Sequence, residues 1–321
     1  MKNKLFVVIS LLLMVVVSAC GGNAANNNSA GGNASSPSPE ASAPAQSEEP
    51  SGTVTYDSEN GPIEIPANPT RIVALTNAPN VLSLGVSLIG VDEWTGKNPL
   101  FTEKVAGVEI VGEADLEKIS ALEPDLIIAG SHMQTIEELK KIAPTVVYTW
   151  GKLDYLTQQV EIGKLLNKEE EAQAWVDDFK QRAEAVGKEI KAKHGEDVTV
   201  TVFETDSKNF YVFGDKWARG TEILYQAMGL GMPEKVTADA LEAGYYTLSQ
   251  EVIPDYSGDF IVISRAKGGD NSFMDTELWK NVPAVKAGQV IEIDTEASTY
   301  SDPITLDYLL DIFKKGFLGE A

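Results

Sequence analysis

The sequence predicts an α/β fold of two lobes with mostly parallel sheets flanked by helices, joined by one long helix. Three observations carry this expectation. Strand-like and helix-like runs alternate from Arg71 to the carboxyl end. Two stretches resemble each other: "LEKISALEPDLIIAGS" (Leu116 to Ser131) and "LSQEVIPDYSGDFIVISR" (Leu248 to Arg265) both run helix, Pro-Asp, then a buried strand. Between them Ala172, Val176, Phe179, Ala183, Val186 and Ile190 form one apolar stripe at helical spacing.

The first residues belong to no fold. Lys2 and Lys4 precede an uncharged run from Leu5 to Val17, and "VSAC" follows, the three-part layout of an export signal. The end of this segment resembles the bacterial lipobox, in which small or apolar residues precede the cysteine, and that resemblance implies removal of residues 1–19 with Cys20 left as a lipidated amino terminus. A buried or incidental thiol in an ordinary secretory signal is the plainer alternative. Cys20 is the only cysteine, so no disulfide forms within the chain. Residues 20–52 are rich in Asn, Ser, Gly, Ala, Pro and Glu with little to bury, which reads as a tether. A flexible chain of about 30 residues spans roughly 30 Å.

Residues 53–152 are expected to form the amino-terminal lobe. "RIVAL", "DLIIAG" and "TVVYTW" are its strands, and "APNVLSLG" and "TIEELKKIA" its helices. Residues 153–194 are the helical segment. Asn167 with Glu170 suggests a capping box, and the stripe ends at His194 before a glycine, which gives a helix of about 25 residues and almost 40 Å. Residues 195–321 are expected to form the second lobe. Strand "VTVTVF" leads through "ETDSKN" to strand "FYVF", "GDKWARG" joins this to a helix over "GTEILYQAMG", and "GQVIEID" is the last strand. Two such lobes place a site in the crevice between them, at loops following the strands.

Composition narrows the chemistry. The chain of 321 residues has 43% apolar content and a net charge of -22, with 26 Lys and Arg against 48 Asp and Glu. That balance argues against nucleic acid, which needs clustered basic residues. There is no nucleophile elbow, P-loop or dinucleotide fingerprint, and the two histidines are not spaced as a metal pair. The chain is thus read as no enzyme, with no cofactor of its own. His194 beside Lys193 suits the carboxyl end of a helix. His132 and Met133 in "GSHMQT" could serve as haem axial ligands; the alternative is a loop where Ser131 or Thr135 starts a helix.

Arg219 is the residue most in need of explanation, because a cation at the start of a helix is unfavourable unless an anion faces it. Extended backbone would project Trp217 and Arg219 to one side. An indole face beside a planar fork of donors suits a ligand with an organic skeleton and clustered anionic oxygens. The alternative is an arginine stacked on its own tryptophan or paired with a local acid such as Asp215.

"NFYVFGDKWARGTEILYQAMG", "DLEKISALEPDLII", "LSQEVIPDYSGDFIVIS" and "TYSDPITLDYLL", in this order behind a lipobox, resemble the iron(III)-siderophore-binding lipoproteins of bacterial ABC importers, most closely the ferric-hydroxamate branch. The resemblance covers the chain after the tether. It implies a periplasmic-binding-protein fold with a rigid helical linker, a shallow cleft and a small movement on loading. It puts Tyr211, Trp217 and Arg219 at the ligand, a ferric siderophore. The family's further aromatic, often tryptophan, falls on Tyr300, whose alternative role is packing over the following helix. Loops "ALTNAP" and "VDEWTGKNP" are expected to supply the opposite wall, with Trp94 a candidate. Glu117 and Glu251, one per lobe, correspond to the acids that dock into arginine-bearing pockets of two permease subunits, or are simply solvated helix carboxylates. The implied protein is a monomer at the outer face of the cytoplasmic membrane, anchored through Cys20. Haem, cobalamin or ferric citrate are the alternative cargoes, and a siderophore hydrolase the alternative activity.

Overall fold

The structure, a computed structural model, describes residues 52–205 and 209–319. The export signal, Cys20 and almost all of the tether lie outside the described residues.

The described chain opens with a hairpin that the sequence reading had not distinguished, β1 (Thr53–Ser58) paired antiparallel with β2 (Gly61–Pro66). It docks through Tyr56 and Ile65, which are buried. The first sheet follows, with β3 (Ile72–Ala74), β4 (Leu88–Val91), β5 (Glu109–Ile110), β6 (Leu126–Gly130) and β7 (Thr145–Tyr148) in the order β5-β4-β3-β6-β7, all parallel. All residues of β6 and β7 are buried, as expected of parallel strands covered on both faces. The connecting helices are α1 (Ala78–Ser83), α2 (Glu93–Lys97), α3 (Leu116–Ala121) and α4 (Ile136–Leu139).

Two helices lead onward, α5 (Tyr155–Leu165) and α6 (Glu169–His194). The stripe anticipated for α6 is buried in full, together with Gly187. The capping box is not formed. Asn167 sits in the left-handed region (φ 56°), its N–H reaches the Lys164 carbonyl at 3.3 Å and the next N–H, of Lys168, reaches Gly163 O at 2.7 Å. Those two bonds close the carboxyl end of α5, so Asn167 ends one helix instead of starting the next. At the far end, His194 Nε2 lies 2.8 Å from the Phe317 carbonyl and Lys193 donates to Leu318 O at 2.6 Å. The basic pair thereby ties α6 to the carboxyl end of α11 (Pro303–Leu318).

The second sheet comprises β8 (Val200–Thr205), β9 (Phe210–Phe213), β10 (Tyr245–Leu248), β11 (Phe260–Arg265) and β12 (Val290–Asp294) in the order β10-β9-β8-β11-β12. Its helices are α7 (Glu234–Ala240), α8 (Ile253–Tyr256), α9 (Glu277–Lys280), α10 (Pro283–Lys286) and α11. In both sheets the first strand is central, flanked by the second and third on one side and the fourth and fifth on the other. The duplication read from the sequence is therefore real at the level of topology. It differs in one strand, because β9 runs antiparallel to β8 and β10. The match also shifts in detail. Asp125, just before β6, accepts the Thr70 and Arg71 N–H groups (2.8 and 2.9 Å), and its counterpart is Asp259, just before β11, which accepts the Thr199 N–H and hydroxyl (both 2.8 Å). Asp255 of the second Pro-Asp instead pairs with Lys235.

The stretch "GTEILYQAMG" is helical but wider than an α-helix. Glu222–Ala227 is a π-helix, with Met228 N–H reaching Ile223 O at 2.8 Å. Gly187 of α6 lies against Met228 so closely that a Cβ would come within 2.8 Å of its Cα. The sheets have separate cores, and α5 links them: Leu156 belongs to the second core, Ile162 and Leu165 to the first.

Candidate functional site

Between the sheets lies a cavity of about 1220 Å³. Loops after β3 (Thr76, Asn77), β6 (His132) and β7 (Thr149, Trp150) form one wall. The segment from Asp215 to Arg219 and the one from Thr299 to Asp302 form the other, and the start of α5 closes the side. Trp217, Arg219 and Tyr300 all line it.

The turn that presents Trp217 and Arg219 is not extended. Ala218 and Arg219 both occupy the left-handed region (φ 58° and 56°), followed by Gly220 at 77°. Two consecutive non-glycine residues there cost about 1–2 kcal/mol each. Three bonds hold them: Trp217 N–H donates to the Thr221 hydroxyl (3.0 Å), Ala218 N–H to Glu222 (3.2 Å) and Arg219 N–H to Ser298 O (2.9 Å). Gly220 is required because a Cβ would collide with the Phe313 ring.

Arg219 already faces an anion, and it is not Asp215. Its Nε and Nη2 donate to the two carboxylate oxygens of Glu204 at 2.8 and 2.9 Å, a bidentate pair. The guanidinium also lies over the Phe213 ring, 5.4 Å from its centre. Glu204 in turn accepts the Ser264 hydroxyl at 2.6 Å, and Ser264 shares a hydrogen bond with Thr295 (2.8 Å). The partner escaped sequence reading because it sits on β8, brought alongside only by the sheet.

Trp217 forms the centre of an aromatic row. Its ring is 5.0 Å from Tyr245 and 5.1 Å from Trp150, which meets it edge-on at 82°. Trp150 is 73% exposed and was not anticipated as a wall residue; the available signal was an aromatic two residues after the strand "TVVY". Its loop is fixed by Glu59 of the hairpin turn, which accepts Thr149 N–H (3.2 Å) and pairs with Lys152 (3.2 Å). These bonds and the Lys152 charge outweigh the desolvation and hold the Glu59 carboxyl below its usual range. Tyr211 does not line the cavity. Its ring meets Tyr245 at 6.1 Å, one aromatic removed from Trp217.

Tyr300 reaches across to the first lobe. Its hydroxyl donates to Asp92 at 3.2 Å and shares a bond with Thr95 (3.1 Å), while its ring packs 6.0 Å from Phe101. Burial, with Asp92 beside it, pushes its hydroxyl well above the usual range. Packing over the following helix is thus not its main contact. "ALTNAP" lines the cavity as expected; "VDEWTGKNP" supplies Asp92 and Thr95 as anchors for Tyr300 instead, and Trp94, 73% exposed, is not a lining residue.

Two buried carboxyls also line the cavity. Asp302 caps α11 by accepting Ile304 N–H (2.9 Å) and the Thr305 hydroxyl (2.5 Å), and burial raises it to about 6. Burial likewise raises Glu222 above its ordinary value, against the opposing bonds from Ala218, Ser301 and Thr221. His132 faces the cavity, but Met133 turns into the first lobe, where its sulfur accepts Gly130 N–H at 3.4 Å. The two do not offer a pair of axial ligands to one haem. Thr135 precedes α4, and its hydroxyl goes to Glu113 O at 2.8 Å.

Glu117 and Glu251 are both exposed, and neither lines the cavity. Glu117 stands nine residues before Leu126 of β6, and Glu251 nine before Phe260 of β11. Glu117 borders a shallow depression with Leu116, Glu138 and Lys141. The Glu251 carboxylate is held below its ordinary range by its own amide N–H and Ser249.

Comparison with known proteins agrees with this architecture. Residues 72–297 match the family model described as periplasmic binding protein. The iron(3+)-hydroxamate-binding protein FhuD of Bacillus subtilis is 34% identical, with 81% of this chain and 84% of that protein aligned. The iron(3+)-hydroxamate-binding protein YxeB of the same organism is 35% identical over 83% and 86%. Among solved structures, FhuD2 from Staphylococcus aureus with bound ferrioxamine B superposes with a TM-score of 0.74 at 35% identity, covering 78% of this chain and 99% of that one.

Proposed function

The chain belongs to the periplasmic binding protein family, and on that premise we propose that it captures a ferric siderophore of the hydroxamate type in the cleft and delivers it to an ABC permease. One observation carries the reading: Trp217 and Arg219 are held side by side on a strained turn facing a cavity of about 1220 Å³. That volume exceeds the roughly 300–1000 Å³ of ordinary small-molecule pockets and suits a bulky chelate.

The chemistry follows from the cargo. Its organic arms already fill the six coordination positions of ferric iron, so the protein supplies no metal bond. Three hydroxamates formally cancel the ionic charge but leave polarised oxygens. Arg219 has five N–H donors, two committed to Glu204, and the remainder can serve those oxygens. Trp217, Trp150 and Tyr300 offer apolar faces to the methylene arms. Tyr211 supports the row through Tyr245 and meets the cargo only if that row rearranges. The relatives named for binding iron(3+) hydroxamate support this choice over haem, cobalamin or ferric citrate.

Delivery belongs to the same proposal. Glu117 and Glu251, exposed and equivalently placed, would dock one per permease subunit, giving salt-sensitive association. Residues 1–19 would direct export, and Cys20 would carry the lipid that holds the protein outside the cytoplasmic membrane.

The test is a fluorescence titration of the full chain with ferric hydroxamates. Trp217→Ala and Arg219→Ala should each weaken binding by about 1–3 kcal/mol, as expected for central anchors. Unchanged affinity in both variants would place the site elsewhere.

A further inference from the structure

We propose that Glu204 sets the charge selectivity of the cleft: by cancelling the Arg219 charge from behind, it makes the site admit neutral or cationic chelates and turn away anionic ones. The inference rests on the reading above and adds a determinant outside the cavity lining.

Glu204 is well placed for this. Its side chain is 13% exposed and that of Arg219 18%, so little water screens the pair. Both carboxylate oxygens are engaged by the guanidinium, and Oε2 also accepts the Ser264 hydroxyl at 2.6 Å. The Ser264 hydroxyl is itself bonded to Thr295, so the carboxylate is pinned, and none of Glu204, Ser264 and Thr295 is among the residues lining the cavity. A paired guanidinium retains directional N–H donors, but its field is that of a dipole and falls off faster than that of a free cation. Polarised hydroxamate oxygens at hydrogen-bond distance need only the donors. A polyanion would need a net positive field to offset its desolvation.

The remaining charges do not provide one. Besides Arg219, the cationic side chain on the cavity among the described residues is Lys216, which is largely exposed. Against it stand Asp154, Asp215, Glu222 and Asp302. Asp154 is committed as an anion to the Leu156 and Thr157 N–H groups, both at 3.0 Å. With Glu204 behind Arg219, the lining is neutral to acidic. A pendant ammonium would be welcome there, and a pendant carboxylate would meet like charge.

The experiment uses three ferric tris-hydroxamates that share one iron core and differ in a pendant group: ammonium, acetamide or carboxylate. Each is titrated into the full chain and its Glu204→Gln and Glu204→Asp variants. The wild-type protein should bind the first two comparably and the carboxylate form at least ~tenfold more weakly, a gap that shrinks between about 0.05 and about 0.5 M salt. Glu204→Gln should narrow the gap, and Glu204→Asp should retain it. Equal wild-type affinity for all three, or a gap undiminished in Glu204→Gln, overturns the proposal. The salt series on wild-type protein keeps the test decisive should Glu204→Gln fail to fold. Failure of the wild-type chain to bind any of the three overturns the ligand reading itself, and this proposal with it.

Discussion

Gly244 offers a way to move Trp217 without altering any group that would touch cargo. Its φ is 88°, and a Cβ there would run into Cε3 of the indole, 2.7 Å from Cζ3 and 3.3 Å from Cδ2. The backbone cannot step aside, because Gly244 N–H donates to Ala240 O (2.8 Å) and its carbonyl accepts Gly214 N–H (2.7 Å). Carbon atoms settle at about 3.5–4.0 Å, so in Gly244→Ala the ring shifts by roughly 1 Å away from residue 244. Left-handed backbone costs alanine about 1–2 kcal/mol and the crowding about as much again, which lowers Tm by about 5–10 °C. A ring displaced that far gives up about 60 Å² of apolar contact with a bound chelate, about 1.5 kcal/mol at about 25 cal/mol per Å², or roughly tenfold in Kd. The assay is a titration of Gly244→Ala in the wild-type and Trp217→Ala backgrounds, with thermal melts alongside. The affinity loss should vanish once Trp217 is gone, while most of the backbone strain persists. A Gly244→Ala protein that melts earlier yet binds as tightly as wild type would refute the role of the indole.

Three further outcomes follow from the same geometry. Asp302, raised to about 6 by burial, stabilises the fold below the unfolded-state pKa near 3.8 and loses that contribution as pH rises through 6. Asp302→Asn, still able to cap α11, should therefore gain stability relative to wild type by about 3 kcal/mol between pH 4 and pH 7, measured by urea unfolding; a pH-independent difference would contradict the burial argument. Glu59→Gln should loosen the loop carrying Trp150 and weaken cargo binding by about threefold, with no effect in a Trp150→Ala background. Changing Glu117 and Glu251 together to alanine should leave affinity unchanged and depress uptake in cells; normal uptake would remove the docking assignment.

What the sequence disclosed divides along physical lines. The α6 stripe and the buried runs of β6 and β11 were legible because one element's periodicity depends on its own residues. Asn167 was misplaced because the same residue type favours both a helix start and a left-handed helix end, and only the bonds to Gly163 and Lys164 decide between them. The hairpin at Thr53–Pro66 was hidden by its weak alternation, with Val54 exposed and only Tyr56 and Ile65 buried. At the site, Trp217 and Arg219 could be picked out by residue type, but their left-handed turn could not, since nothing in Ala218 favours positive φ. Glu204 and Trp150 enter through tertiary contacts, one across a sheet and one across the cleft, while Tyr211 meets Tyr245 and is not among the lining residues.

The account depends on cargo being gripped by its organic wrapping. A crystal structure of the loaded protein tests this directly. The account predicts ferric iron fully enclosed by chelator oxygens, the chelate lying on the Trp217 face, and an Arg219 N–H within hydrogen-bond distance of a hydroxamate oxygen while Nε and Nη2 stay on Glu204. A chelate seated outside the cavity, or iron bonded directly to a protein side chain, would contradict it.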